Sequence, residues 1–271
     1  MKLINYFYWV LSFVLFLFIK IISFFIKIRL KCLHSERIGH YVMEACLYLH
    51  ERKKNKKKLE FHVFYNSNKV SNLYFYNLIR KKIFFIPWVL GFRINFFLNF
   101  FSFQKDDLRL AKYLDRDLDK LIYRNKTILK IPEKDLAVGF NNLKKMGIDK
   151  SKKFVCLGIR DEQYLKKTFP SKSYKKHNYR DTKPENFIKL IKFLNSQGFY
   201  VIKMNKTSEK ILPITNPLFI DYTKSKFASE SMDFFLCNQC EFFISTGYGF
   251  DSVPRIFKKP ILIVSMAPIG Y

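Results

Sequence analysis

The feature that most constrains this chain is a regular alternation in its second half. Short apolar runs at residues 154–159, 200–204, 218–222, 242–245 and 261–265 are separated by longer segments with helical patterning. Runs of four to six apolar residues suit strands buried on both faces. Between them, Thr182-Lys-Pro-Glu185 has the spacing of a capping box with Pro inside it, and Phe187, Ile188, Ile191 and Leu194 share one helical face. Gly198 follows, a good residue for the left-handed position past a helix end. Residues 229–240 read as a helix and 251–257 as a short helix or helical turn. Strands alternating with helices imply an α/β fold, here a five-stranded parallel sheet with right-handed crossovers, Rossmann-like in outline.

The first half is less regular. Residues 39–52 read as a helix and 59–65 as a strand. Residues 108–123 carry a helical stripe through Leu110, Ala111, Leu114, Leu118, Leu121 and Ile122. A further helix begins at Pro132 and ends before Gly147. The short polar stretch 147–153 then marks a domain boundary. The division expected is 1–31 as an anchor helix, 32–147 as a first domain and 148–271 as a second. The chain stops soon after the last strand, so the second domain is expected to lack a covering C-terminal helix.

Residues 3–19 carry no charge. That is near the lower limit for a helix that spans a bilayer, which takes about 20 apolar residues. Its apolar residues cover every face rather than one stripe, which disfavours a soluble helix. No small-residue cleavage site follows, so the segment reads as a retained membrane anchor. Lys20, Lys27, Arg29 and Lys31 lie after it and only Lys2 before it, which predicts a cytoplasmic body. Whether the segment spans or lies flat stays open. A second apolar stretch, 83–103, is broken by Pro87, Gly91, Arg93, Asn95 and Asn99. An Arg near the middle of a span costs about 2.5–3.5 kcal/mol, so this stretch is expected as core, or else as an interfacial patch. The basic run 52–58 is a solvated loop or a holder of anionic headgroups.

The chain has 49 Lys and Arg against 22 Asp and Glu, a formal charge of +27, with 49% hydrophobic residues. It is too apolar for a disordered tail. Codon bias toward Lys, Asn, Ile and Phe accounts for part of the charge; an anionic membrane, a phosphorylated substrate or nucleic acid are the functional uses for it. No helix-turn-helix, RRM or zinc-finger pattern is present and the lysines are scattered, so no nucleic-acid partner is expected. Five cysteines make no disulfide framework and fit a reducing compartment. Cys237-Asn-Gln-Cys240 has zinc-like spacing without a second ligand pair, and reads as helix-end cysteines rather than a metal site.

In open parallel sheets, ligands bind beyond the carboxyl ends of the strands. Arg160 and Asp161, with Tyr164 close behind, follow the first strand of the second half. Arg160 can hold a diphosphate through paired N–H donors, or simply pair with Asp161. Ser245-Thr-Gly-Tyr-Gly-Phe-Asp-Ser252 follows the fourth strand. Gly247 and Gly249 allow close backbone approach, and Ser245, Thr246 and Ser252 offer hydroxyls. The following helix presents its N-terminus. The alternative is an ordinary loop with Asp251 or Ser252 as helix cap. There is no Walker or GxGxxG signature. His177-Asn-Tyr-Arg180 supplies an acid/base candidate and a second cation, and Arg37-Ile-Gly-His40 places His40 near a helix start.

Ile131-Pro-Glu133, Leu143-Lys-Lys-Met-Gly-Ile148, Phe154-Val-Cys-Leu-Gly-Ile-Arg-Asp161, His177-Asn-Tyr-Arg180, Gly198-Phe-Tyr-Val-Ile-Lys-Met204 and Phe242-Phe-Ile-Ser-Thr-Gly-Tyr-Gly-Phe-Asp-Ser-Val-Pro254 occur in that order. With Arg37-Ile-Gly-His40 in front, the series resembles a family of bacterial glycosyltransferases of surface-polysaccharide synthesis. The resemblance covers roughly residues 35–265. It implies two Rossmann-like domains facing a cleft (the GT-B arrangement), similar in outline to heptosyltransferases. The chain departs from the family pattern where Gly158 replaces an expected His, Lys203 an Arg and Asn205 a Gly.

With the N-terminal segment and the basic charge, the expectation is a membrane-associated enzyme; no DxD motif stands in the parallel-sheet half, so no metal and no cofactor are expected. The enzyme would move a sugar from a nucleotide-sugar donor to a lipid-linked or polysaccharide acceptor at the anionic cytoplasmic membrane face. By the resemblance, donor contacts fall to Arg160, Asp161, Tyr164, Arg180, Ser245, Thr246, Gly247, Gly249, Asp251 and Ser252. The general base is His40 or His177, and Arg160 and Arg180 stabilise the leaving diphosphate. The competing expectation is a membrane-anchored binding or scaffold homologue that has lost catalysis.

Overall fold

A computed structural model describes residues 2–54, 60–101, 117–160, 181–204 and 212–264. The chain divides into two compact units, residues 1–129 and 130–271. The division falls one helix earlier than the expected boundary near residue 147.

The first unit opens with α1 (Lys2–Ile22), followed by β1 (Lys27–Leu33), α2 (Ile38–Lys54) and β2 (Glu60–Asn66). It continues with α3 (Leu73–Ile79), α4 (Trp88–Phe100) and α5 (Leu121–Arg124). β1 and β2 pair in parallel, from Lys27 opposite Glu60 to Leu33 opposite Asn66. The segment after α3 adds a parallel bridge, Phe64 to Phe85. β1 starts at Lys27, so the expected anchor, 1–31, is shorter as a helix and its last residues belong to a sheet. The charges of Lys27-Ile-Arg-Leu-Lys-Cys-Leu33 alternate with apolar residues at the period of a strand.

That alternation sorts the faces. Leu30, Val63 and Tyr65 pack with Ile94 and Leu98 of α4 and Phe16 of α1. On the other side, the rings of Phe64 and Tyr48 of α2 lie 4.6 Å apart. A polar chain runs across this side. Arg29 donates to both carboxylate oxygens of Glu60 at 3.1 and 3.2 Å, and His62 lies 3.2 Å from Glu60 and 2.9 Å from the Tyr48 hydroxyl. Arg29 is thus a strand residue in an ion pair, which weakens its use as a topology signal. The stretch 83–103, expected as core or as an interfacial patch, contains α4, with Ile94 and Leu98 buried and Phe92, Phe96 and Phe100 exposed. Its Gly91 lies where a Cβ would meet the Tyr65 ring at 2.3 Å. The helical stripe expected at 108–123 lies mostly outside the described residues, which show only α5 at its end.

The second unit contains α6 (Glu133–Lys145), β3 (Phe154–Gly158), α7 (Ile188–Ser196), β4 (Tyr200–Lys203) and β5 (Phe219–Asp221). After these come α8 (Glu230–Gln239), β6 (Phe243–Ser245), α9 (Ser252–Ile256) and β7 (Ile261–Ile263). All five strands are parallel, in the order β5-β4-β3-β6-β7. Counted within the unit, this is 3-2-1-4-5, the doubly wound order, whose direction reverses between β3 and β6. The five-stranded parallel sheet stands as expected.

Val155, Leu157, Val201 and Ile244 pack against Phe187, Ile191 and Leu194 on one face. On the other, the α6 and α8 helices meet closely, since a Cβ on Gly139 would lie 2.2 Å from the Phe235 ring. Gly147 and Gly198 follow their helices with φ of +87° and +81°, conformations that favour glycine. The capping box expected at 182–185 is not formed. Pro184–Phe187 is a 3-10 turn entered from Lys183 without a side-chain cap bond. Ser229 does cap α8, accepting from the Met232 N–H at 3.2 Å.

Candidate functional site

At the reversal of the second sheet, the strand register puts Gly158 beside Ser245 and Leu157 beside Lys203. The segments leaving β3 and β6 are stitched together. The Thr246 N–H donates to the Gly158 carbonyl at 3.3 Å, and the Arg160 N–H donates to the Thr246 hydroxyl at 2.8 Å. The Arg160 guanidinium, nearly buried, meets Asp181 at 3.3 Å. The pairing expected for Arg160 is with Asp161, and the pairing present is with Asp181. Asp161 lies outside the described residues, as do Tyr164, His177 and Arg180.

The loop after β6 is braced from within. Ser245 donates to Asp251 at 2.5 Å, and the Gly247 N–H donates to the Ser245 hydroxyl at 3.0 Å. The Tyr248 N–H donates to the second Asp251 oxygen at 2.9 Å, and Ser252 donates to the Gly249 carbonyl at 2.9 Å. Ser245, Thr246, Asp251 and Ser252 are all buried. Their polar atoms shape the loop, which leaves its outward face to Gly247 and Gly249. Gly247 has φ of +77°, so a side chain there would strain the turn. Burial pushes the Asp251 carboxyl up to about 6, against the pull of the Ser245 hydroxyl and the Tyr248 N–H. The helix that follows, α9, has five residues, too few turns for a strong dipole.

Two further residues of this edge have partners that the sequence does not reveal. Tyr248 reaches across the sheet edge and donates to the Met204 carbonyl at 3.4 Å. A Cβ on Gly158 would lie 2.4 Å from the Tyr248 hydroxyl, so this glycine makes room for the ring. Lys203 is fully buried, and its ammonium meets Asp221 at 3.0 Å across the β4–β5 pair. Asp221 also accepts from the Thr223 hydroxyl.

In the first unit, the carboxyl end of β1 leads through His34 into α2. Glu44, one turn inside α2 past His40, is almost wholly buried and accepts from the His34 backbone N–H at 3.0 Å. Its other oxygen lies 2.6 Å from His34 Nδ1. That bond raises the His34 pKa and leaves Nε2 as the ring nitrogen for proton exchange. The His34 side chain is 59% exposed. His40, the histidine singled out in the sequence, has its ring centroid 6.4 Å from that of His34. His34 and Glu44 are ten residues apart on different elements, so no periodic spacing links them. The signal would have been a His at a strand end followed by an acidic residue within the apolar middle of the next helix.

Cys237 and Cys240 are both buried at the end of α8, and Cys240 donates to the Cys237 carbonyl at 3.5 Å. Burial pushes the Cys237 thiol up, away from the thiolate that metal binding needs.

The fold of this chain is similar to that of a solved glycosyltransferase. A family 9 glycosyltransferase from Veillonella parvula shares it at a TM-score of 0.51 and 12% identity, over 88% of this chain and 79% of that one. The ADP-heptose LPS heptosyltransferase II of E. coli aligns at a TM-score of 0.49 and 12% identity, over 87% and 83%. At such identity the likeness speaks for fold alone, and the first structure carries it. No protein-family model matches the chain, and no curated protein matches it.

Proposed function

We propose that this protein is a membrane-associated glycosyltransferase that moves a sugar from a nucleotide donor to a lipid-linked or polysaccharide acceptor. The observation that carries the reading is the 3-2-1-4-5 sheet, whose reversal point is flanked by Arg160 and the Gly247–Gly249 loop. Doubly wound sheets bind nucleotides at that point. The donor diphosphate would lie against the Arg160 guanidinium and the glycine loop, whose backbone a phosphate can approach closely. Arg180, Asp161 and Tyr164 remain candidates for the same donor, and His177 for the general base.

In the transfer, an acceptor hydroxyl attacks the anomeric carbon. The bond from that carbon to the diphosphate oxygen breaks, and a nucleoside diphosphate leaves with the bonding pair. His34 Nε2 is the base we assign to the hydroxyl proton, with Glu44 holding the ring and stabilising its charged form. His40 is the neighbouring alternative. The body of the enzyme would lie on the cytoplasmic side, where nucleotide sugars are made, and the basic surface would face anionic lipid.

The test is a thermal-shift screen of the purified protein against UDP-, GDP-, ADP- and CMP-sugars, followed by product analysis. One nucleotide class should raise the melting temperature, and Arg160→Ala should abolish the shift. His34→Asn should keep the shift and lose transfer by about 10²-fold or more. No shift with any nucleotide sugar would sink the reading. A second reading has its own support, since the hydroxyls of Ser245 and Ser252 are spent inside the loop. It is a non-catalytic homologue, which would bind the nucleotide and transfer nothing.

A further inference from the structure

Within α1, the 20 residues from Leu3 to Ile22 have a mean hydropathy of 1.8 with Lys20 as the one charge, enough by length and composition to cross a bilayer. Its packing argues for a different placement. Phe16 is buried in one cluster with Leu30 of β1, Val63 and Tyr65 of β2, and Ile94 and Leu98 of α4. At 1.5 Å per residue, Phe16 sits about 9 Å from the Ile22 end of the helix. A helix crossing a core about 30 Å thick would drag the β1–β2 sheet into hydrocarbon. Arg29, Glu60 and His62 of that sheet would go with it, at a cost of several kcal/mol.

The outward face of α1 is a stripe through Leu3, Phe7, Val10, Val14, Leu17 and Ile21, all exposed. α4 continues it. Trp9 meets Phe96 and Phe97 edge-on at 5.3 and 5.6 Å, and Phe16 stacks on Phe101 at 5.4 Å. Phe92, Phe96 and Phe100, at four-residue spacing on α4, expose 46%, 46% and 70% of their surface. Arg93 is turned inward instead. Its guanidinium donates to Val89 O at 2.7 Å and to Asn5 Oδ1, and lies 5.1 Å from the Trp9 ring. The one charge of α4 is thus spent in joining the two helices, and their shared outer surface is apolar.

We infer that α1 and α4 together form an in-plane docking face for an anionic bilayer, sunk into one leaflet without crossing it. Such faces sit about 5–10 Å into the headgroup and acyl boundary. The charge supports a lipid occupant. Residues 1–101 hold seventeen Lys and Arg against four Asp and Glu. Exposed Phe24 and Phe25 at the end of α1 run directly into exposed Lys27, an arrangement that buries rings and leaves an ammonium at the headgroups. The inference rests on the proposed membrane association and not on sugar transfer.

The experiment uses the full chain, tagged at both ends and mixed with preformed sealed vesicles of phosphatidylglycerol and phosphatidylcholine. The protein should float with the vesicles, and protease added outside should digest both tags. Phe92→Asp with Phe100→Asp should cut the bound fraction roughly tenfold or more, since two exposed rings lose their burial in lipid. Val138→Asp, at an exposed apolar position of the second unit, should float like the wild type, and all variants should keep the wild-type melting temperature in detergent. A protected N-terminal tag with a digested C-terminal one would mean a spanning helix, overturning the in-plane face while sparing membrane association. Undiminished flotation of the α4 double variant would overturn it too. A soluble dimer that fails to float would overturn both, and leave the donor screen to judge sugar transfer.

Discussion

At the scale of single residues, the buried pair of Lys203 and Asp221 is the sharpest test of the second unit. Lys203 is wholly removed from solvent and its ammonium lies 3.0 Å from Asp221. Removing one partner of a buried pair leaves the other uncompensated. Lys203→Ala should therefore lose about 3 kcal/mol in urea unfolding. Asp221 keeps the Thr223 hydroxyl and some solvent, which sets the effect at the lower end of the range. Lys203→Met with Asp221→Asn should lie closer to wild type than Lys203→Met alone. Sequence reading reached Lys203 only as a departure from a family pattern. The pairing stayed invisible because the two residues meet across strands 18 positions apart. The same holds for His34 and Glu44, which a strand-to-helix turn brings together.

At the scale of elements, the second half of the chain was legible because it obeys simple rules. Five apolar runs became five strands, since a strand covered on both faces needs no polar alternation. The errors came where local rules compete. Thr182 matched a capping box, yet Pro184 starts a 3-10 turn and no side-chain cap forms. β1 was hidden at the end of a hydrophobic segment, where its alternating charges passed for the flank of an anchor. The β6 loop could serve as a set of ligand donors or as a self-braced turn, and burial turns most of its side-chain polar atoms inward. That brace makes a prediction. The Asp251 carboxyl titrates at about 6, well above its ordinary 3.8. Between those values the folded chain holds a proton that the unfolded chain has released. Asp251 thus makes stability fall as pH rises from about 4 to about 6, and adds no slope above that. Arg255 is the charged neighbour that limits the shift. The unfolding free energy of the wild type, less that of Asp251→Asn, should drop by about 2–3 kcal/mol over that window. A difference that stays level with pH would remove the buried carboxyl from the account.

At the scale of the whole molecule, two forces can hold the protein at a membrane, and salt separates them. The formal charge of +27 attracts anionic lipid over a Debye length of about 10 Å at 0.1 M salt, which shrinks to about 3 Å at 1 M. Burial of the α1 and α4 rings is not screened, and excluded salts strengthen it. Binding to phosphatidylglycerol vesicles should therefore fall as sodium chloride rises, then level off at the value measured on neutral phosphatidylcholine vesicles. Phe92→Asp with Phe100→Asp should keep the salt-sensitive part and lose the plateau. Binding that falls to nothing at 1 M salt would assign the attachment to charge alone. Binding that ignores salt, with the α4 variant unchanged, would assign it to a spanning α1. Only the in-plane face requires both the slope and the plateau, because it sets an apolar surface and a basic unit against the same leaflet.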